Sequence, residues 1–284
     1  MSEIEQRIKT KIESAGLPLR DWDVKIFRGV LTGYNEAFII NGITKEELIK
    51  ADPKSAEIIR PILRGRDIKR YEYKFADLWL INTHNGIKEK DLNPIDIDNY
   101  PAVKTHLHQY YSSLEKRADK GDTPYNLRNC AYMDDFFRQK IVWGNLNLTA
   151  SYSLAEAGMF INAPCTMIVP GDPYLLAMLN SKLGDYYIRN LGVMRNGGYF
   201  EYKPMFIEQL PVPVIDKTKQ AHFTSLMNQI IELKKNNLNA EKIEREVDLM
   251  VFELYNLSPE EINYLLSDGS GRQVEVVDTI DLVT

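Results

Sequence analysis

The chain has 284 residues, 44% of them hydrophobic and 26% charged, with a formal net charge of -5, enough material for one large core or two modest ones. No run approaches the roughly 18 apolar residues of a membrane span, and the polar start Met1-Ser2-Glu3-Ile4-Glu5-Gln6 lacks the apolar segment of a signal peptide, so a cytoplasmic location is expected. Cys130 and Cys165 stand far apart without CxxC or Cys/His spacing, which argues against a disulfide framework or a zinc site.

The acidity is uneven. From Asp216 to Thr284 there are seven Lys/Arg and thirteen Asp/Glu, a net of -6, which leaves +1 for the preceding residues and keeps nucleic acid open as a partner.

Taken in order, Ile4, Ile8 and Ile12 form one face of a helix that Gly16 and Pro18 stop. Val24-Lys25-Ile26-Phe27-Arg28 alternates as a strand, and Ala37-Phe38-Ile39-Ile40 is expected to be a second, followed by Asn41-Gly42 as turn chemistry. Between them lies the polar loop Thr32-Gly33-Tyr34-Asn35. Thr44 with Glu47 has the spacing of a capping box for a short helix, and Lys54 to Ile59 is read as another.

The next stretch, Ile59 to Tyr71, concentrates charge. From Arg60 to Lys74 six basic residues (Arg60, Arg64, Arg66, Lys69, Arg70, Lys74) face two acids, Asp67 and Glu72. Pro61 and Gly65 place the arginines on a turn-rich segment between short strands. Arginine's planar fork suits phosphate oxygens or a guanine edge; equally open is a salt-bridge cluster of Arg64, Arg66 and Asp67 beneath a loop.

Asp77 to Asn82 reads as a buried strand with Trp79 in the core, and Ala102 to Arg117 as a helix. His106 and His108 point in different directions on that helix and do not pair for a metal. Phe136 to Trp143 leads into a strand whose polar face Arg138 and Lys140 are expected to share. Met159 to Ile161, Cys165 to Val169 and a helix from Tyr174 to Leu191 follow. Arg195, Tyr199 and Lys203 around Gly197-Gly198 form a second basic-aromatic element, and Leu210-Pro211-Val212-Pro213 a rigid extended exit. Apolar positions from Phe223 to Leu233 and from Ile243 to Leu254 predict a helical hairpin. Ser258-Pro259-Glu260-Glu261 caps a last helix, and a tail begins at Asp268.

Five blocks along this order carry a family resemblance: Gly16 to Trp22, Arg28 to Phe38, Ile59 to Tyr71, Leu179-Asn180-Ser181-Lys182-Leu183, and Gly197 to Pro204 running into Leu210 to Pro213. Together they resemble the C-terminal target-recognition region of TaqI-like adenine-specific DNA methyltransferases and of type IIG restriction-modification enzymes; the stretch from Met159 to Leu191 also resembles the recognition half-domains of type I specificity subunits. The resemblance implies a mixed α+β target-recognition domain followed by a C-terminal helical hairpin. It divides the chain into a linker helix at 1–15 from a missing upstream domain, a DNA target-recognition domain at 16–213, a helical extension at 214–266 and a tail at 267–284.

It also implies double-stranded DNA and an upstream methyltransferase domain of the same polypeptide as partners. The nominated DNA contacts are Arg28, Thr32, Asn35, Arg64, Arg66, Lys69, Arg70, Arg195, Tyr199 and Lys203. A methyltransferase of this kind needs an Asp/Asn-Pro-Pro-Tyr/Phe loop and a glycine-rich loop after a strand; this sequence has neither, and Asp172-Pro173-Tyr174 lacks the second proline. Catalytic and metal-binding residues are therefore expected to be none, and S-adenosylmethionine is a cofactor of the parent protein, with magnesium left open. The competing reading is a noncatalytic scaffold whose hairpin joins protein subunits.

Overall fold

The computed structural model describes residues 1–267; the tail from Asp268 lies outside the described residues. It is a mixture of helices and small sheets, an α+β protein. The described chain separates into two compact units that do not follow the boundaries at 15 and 213. One gathers Met1–Asp23, Leu146–Ala150 and the residues from Pro173 onward; the other holds Val24–Asn145 and Ser151–Asp172.

The Val24–Asp172 unit is built on two four-stranded sheets. In the first, antiparallel throughout, the order is Lys25–Arg28, Thr166–Val169, Lys140–Trp143, Tyr152–Ala155. In the second the order is Ile39–Asn41, Leu78–Ile81, Ile59–Leu63, Phe160–Ile161, the last pair parallel. Ile62, Leu63, Leu80, Ile81, Phe160 and Met167 belong to one continuous buried cluster, each such side chain contributing about 1.5–3 kcal/mol on burial.

Several elements depart from the sequence reading here. Asn35–Phe38 is a short helix, so the second strand starts at Ile39. Asn41-Gly42 is no hairpin turn: the Asn41 side chain accepts the Thr44 amide at 2.8 Å and caps the helix Gly42–Ala51. A Cβ at 42 would lie 2.0 Å from the Asp77 carboxylate, so any larger residue there would have to displace that side chain. Residues 53–57 form a 3-10 turn, and the helix expected over 102–117 breaks into Pro101–His108 and Tyr111–Lys116.

Lys140 does not share a polar face with Arg138. It is fully buried, and its ammonium donates to the carbonyls of Glu156 at 2.9 Å and Met159 at 3.0 Å. Every side chain of its strand is buried, because the strand is covered on both faces, and burial pushes the lysine down to about 8.

The other unit is mainly helical. Its N-terminal helix, Glu3–Ala15, starts with a Ser2–Glu5 capping box and buries Ile8 and Ile12. Within this unit Arg7 and Lys11 reach Glu260 and Glu261 at 2.6 and 2.7 Å, and Tyr264 donates to Glu5 at 2.7 Å. The apolar face of this helix is thus covered by the chain itself. Leu17–Pro18 pairs antiparallel with Pro211–Val212, and the expected 174–191 helix is two, Pro173–Asn180 and Lys182–Leu191, with Ser181 capping the second. The hairpin forms as Lys217–Lys235 and Glu241–Leu254, followed by Pro259–Leu266 with its Ser258 cap. Tyr255 donates to the Pro211 carbonyl and Tyr174 to that of Pro213, at 2.5 and 2.8 Å, so the hairpin is part of this unit's core.

Candidate nucleic-acid interface

The basic stretch divides into structural and free cations. It follows the strand Ile59–Leu63 through a 3-10 turn at Gly65–Asp67. Asp67 is buried and takes two hydrogen bonds from the Arg64 guanidinium, at 2.8 and 3.0 Å, and one from the Arg64 amide at 2.8 Å. Burial alone would raise its carboxyl; the bonds from Arg64 outweigh that and hold it below the usual carboxylate range. Arg60 donates to the carbonyls of Ala56, Glu57 and Ile59, and burial lowers it from its ordinary value. Half-buried Arg70 lies over the Tyr71 ring, 5.1 Å from the centroid. Tyr71 is itself buried with φ at +66°, its amide held by the Tyr152 carbonyl at 2.8 Å, a left-handed conformation uncommon outside glycine.

Arg66, Lys69 and Lys74 differ. They are exposed and form no ion pair among the described residues. The salt-bridge reading holds for Arg64 and Asp67 but not for Arg66, which with Lys69 and Lys74 faces solvent.

The Thr32–Asn35 loop is organised from below. Thr32 is buried, and its hydroxyl donates to the Asn35 side-chain oxygen Oδ1 at 2.6 Å while accepting the Tyr34 amide at 3.2 Å. Thr32 is thus withdrawn from the surface, whereas Asn35 is exposed. The Thr32 carbonyl accepts from buried Arg117, whose guanidinium also donates to the carbonyls of Asp119, Pro124 and Asn126 and lies over the Phe38 ring at 4.5 Å. Burial pushes that guanidinium down to about 10. Arg117 was not nominated from sequence, where an arginine closing a helix carries no sign of burial.

Arg28 ends its strand exposed beside a cleft of about 160 Å³ whose lining also includes Val30, Leu127, Arg128, Asn129 and Tyr132. A broader, more polar depression of about 370 Å³ shares Arg128 and Asn129 with it. Arg128 and Asn129 are exposed and were likewise missed from sequence.

In the other unit, Arg195 and Lys203 converge on one carboxylate. Glu201 accepts from Arg195 at 2.5 Å and from Lys203 at 2.9 Å, and Lys203 first, then Arg195, holds its carboxyl below the usual range. Both cations remain about half exposed, and Tyr199 is exposed. Gly197 and Gly198 both sit at φ +80°, a conformation that suits glycine. The nominated residues thus fall into two groups: Arg28 to Arg70 lie in one unit, and Arg195 to Lys203 in the other.

The model of the TaqI-like C-terminal specificity domain matches residues 60–212. This chain belongs to that family. It is 22% identical over 245 residues to the type II methyltransferase M.MjaIV of Methanocaldococcus jannaschii, covering 82% of this chain and 79% of that protein. Its fold is similar to that of the type IIL restriction-modification enzyme MmeI, solved in complex with DNA (TM-score 0.68, 13% identity, 88% of this chain and 36% of that one), and to that of the type IIG restriction endonuclease BpuSI (TM-score 0.53, 15% identity, 91% of this chain and 33% of that one). The chain spans about a third of the length of these solved relatives. These matches do not favour the scaffold reading.

The glycine-bearing turn after Lys25–Arg28 is closed by backbone pairing. The Gly29 amide is bonded to the Cys165 carbonyl and the Val30 amide to that of Ile161, both at 2.8 Å, so neither faces a ligand. No cluster of His, Cys, Asp or Glu among the described residues has the arrangement of a metal site, and magnesium finds no support. His106 contacts the Ala37 carbonyl and His108 the Tyr125 hydroxyl, on separate sides as their spacing requires. No helix is long and apolar enough to cross a membrane among the described residues.

Proposed function

We propose that this chain is the sequence-specific DNA recognition module of a type IIG-like restriction-modification protein whose methyltransferase domain, upstream in the same polypeptide, methylates adenine. The observation that carries this reading is the specificity-domain match over residues 60–212; the printed description of MmeI, a restriction-modification enzyme bound to DNA, supports it. In this reading S-adenosylmethionine belongs to the parent's catalytic domain, and the protein works in the cytoplasm.

The surface chemistry is suited to the task. Arg66 and Lys69, solvent-facing and unpaired, hold phosphates, while Arg64 and Arg70 fix the turn that presents them. Asn35, set by Thr32, and the turn bearing Arg195, Tyr199 and Lys203 present donors and an aromatic face to the grooves. With a formal net charge of -5 on the chain, nonspecific attraction is weak and shape and base contacts carry more of the affinity.

Selection from a randomised duplex library tests the proposal. Enrichment of one short site is the expected result; uniform recovery of all sequences, or no DNA binding at low salt, would defeat it.

A further inference from the structure

The cleft beside Arg28 has an unusual construction for a phosphate site. Arg28 stands exposed on one side without an ion-pair partner among the described residues. On the other side Arg128 is held by a single 3.0 Å bond from one terminal nitrogen to Asp119, which orients the guanidinium and leaves other donors of its fork for a ligand. Asn129 adjoins it, its side-chain oxygen accepting from Asn85, whose amide also donates to Asp122 at 3.0 Å. Asp119 and Asp122 line the adjoining polar depression and not the cleft itself. Within the cleft the polar groups are the Arg28 and Arg128 guanidiniums and the Asn129 amide, donors that suit the acceptors of a base edge.

Size and rigidity point the same way. At about 160 Å³ the cleft is below the roughly 300 Å³ of a site that encloses a small molecule; it can take a projecting edge and not a whole ligand. The loop behind it is fixed: Arg117 gathers the carbonyls of Thr32, Asp119, Pro124 and Asn126, Asn126 donates to the Ile95 carbonyl at 2.9 Å, and Asn85 accepts the Asp122 amide at 2.8 Å. A reader of base edges needs such preorganisation of the elements that carry it.

We propose that the cleft flanked by Arg28 and Arg128, with Asn129 on its rim, is a base-reading site that takes the major-groove edge of a guanine. Arginine's paired donors match the O6 and N7 acceptors of that base. The assignment rests on the DNA-recognition reading above and adds Arg128 and Asn129 to it as specificity-determining residues.

The test is duplex selection with the full chain carrying Arg28→Ala or Arg128→Ala, followed by titration of the selected site at several salt concentrations. Both substitutions are at exposed positions. The expected result for Arg128→Ala is a loss of discrimination of roughly 5- to 150-fold at one or two base pairs, G·C in the wild-type site, with the salt dependence unchanged. Weakening that is equal at every sequence, with the salt slope reduced by about one, would assign Arg128 to a phosphate and overturn the proposal. An unchanged selection profile would also overturn it. If the wild-type chain itself enriches no sequence, the DNA-recognition reading falls and this proposal with it, a result distinguishable from a wild-type site that the Arg128 variant still reads in full.

Discussion

At the residue scale, cations adjacent in sequence have opposite roles. Arg64 satisfies buried Asp67 through its side chain and its amide, so Arg64→Ala leaves a buried carboxylate with one bond of three and should cost about 1–3 kcal/mol of stability. Arg66→Ala and Lys69→Ala remove exposed, unpaired charges and should leave the unfolding midpoint in urea unchanged. In DNA titrations each should lower the slope of log K against log salt by about one. An Arg64 variant as stable as the wild type would show that the pair with Asp67 is solvated and idle.

Lys140 supplies a pH dependence. Its folded pKa of about 8 lies below the roughly 10.4 of an unfolded lysine. Below pH 8 both states carry the proton and the cost of burying the charge is full. Between about 8 and 10.4 the folded protein releases the proton first, the unfolded chain binds more protons, and stability rises with pH. The shift corresponds to roughly 3 kcal/mol at most. The stability difference between wild type and Lys140→Met should therefore move in favour of the wild type from pH 7.5 to 10.5, as followed by denaturant unfolding; taking the difference cancels the thiols and phenols that titrate in the same range. A difference that stays flat would mean that the carbonyls of Glu156 and Met159 already offset the burial.

At the scale of elements, helix starts were the readings most exposed to error. Thr44 and Glu47 have capping-box spacing, yet the helix begins at Gly42 with Asn41 as its cap. Strand pairing decides this: Asn41 lies opposite Leu78 at the end of the Ile39–Asn41 ladder, which leaves the chain no room to delay the helix. Asn41→Ala should cost about 1 kcal/mol in thermal unfolding, and Thr44→Ala only a few tenths. A larger loss at Thr44 would restore the capping box.

At the scale of the whole molecule, the helical segment after residue 213 is a structural part of its unit. Phe223, Met227, Ile230, Val251 and Phe252 are buried there, and Tyr255 holds the Pro211 carbonyl. A chain ending at Ile215 would expose the apolar sides of Leu175, Leu176 and Met178, which are buried in the same unit. Such a truncation should lose helical signal beyond the segment removed and aggregate on heating, as measured by circular dichroism and light scattering. A soluble, cooperatively melting product would make the hairpin a true appendage.

The sequence by itself determined most elements and the family. The isoleucine stripe, the alternation around Ile26, the hairpin periodicity and the Ser258 cap depend on neighbours within a few residues, and those local preferences survive in the fold. The blocks of resemblance pointed to the same family as the model match over residues 60–212. What only the tertiary structure decided is which polar side chains face water. Lys140 follows Arg138 and Gln139 as a surface lysine would, and is buried because its strand lies inside a sheet covered on both faces. Arg117 and Arg128 are eleven residues apart in one polar segment, the first buried on four carbonyls and the second at the rim of a cleft. Spacing encodes the face of an element; burial depends on partners tens of residues away, brought together by chain closure that no local pattern records.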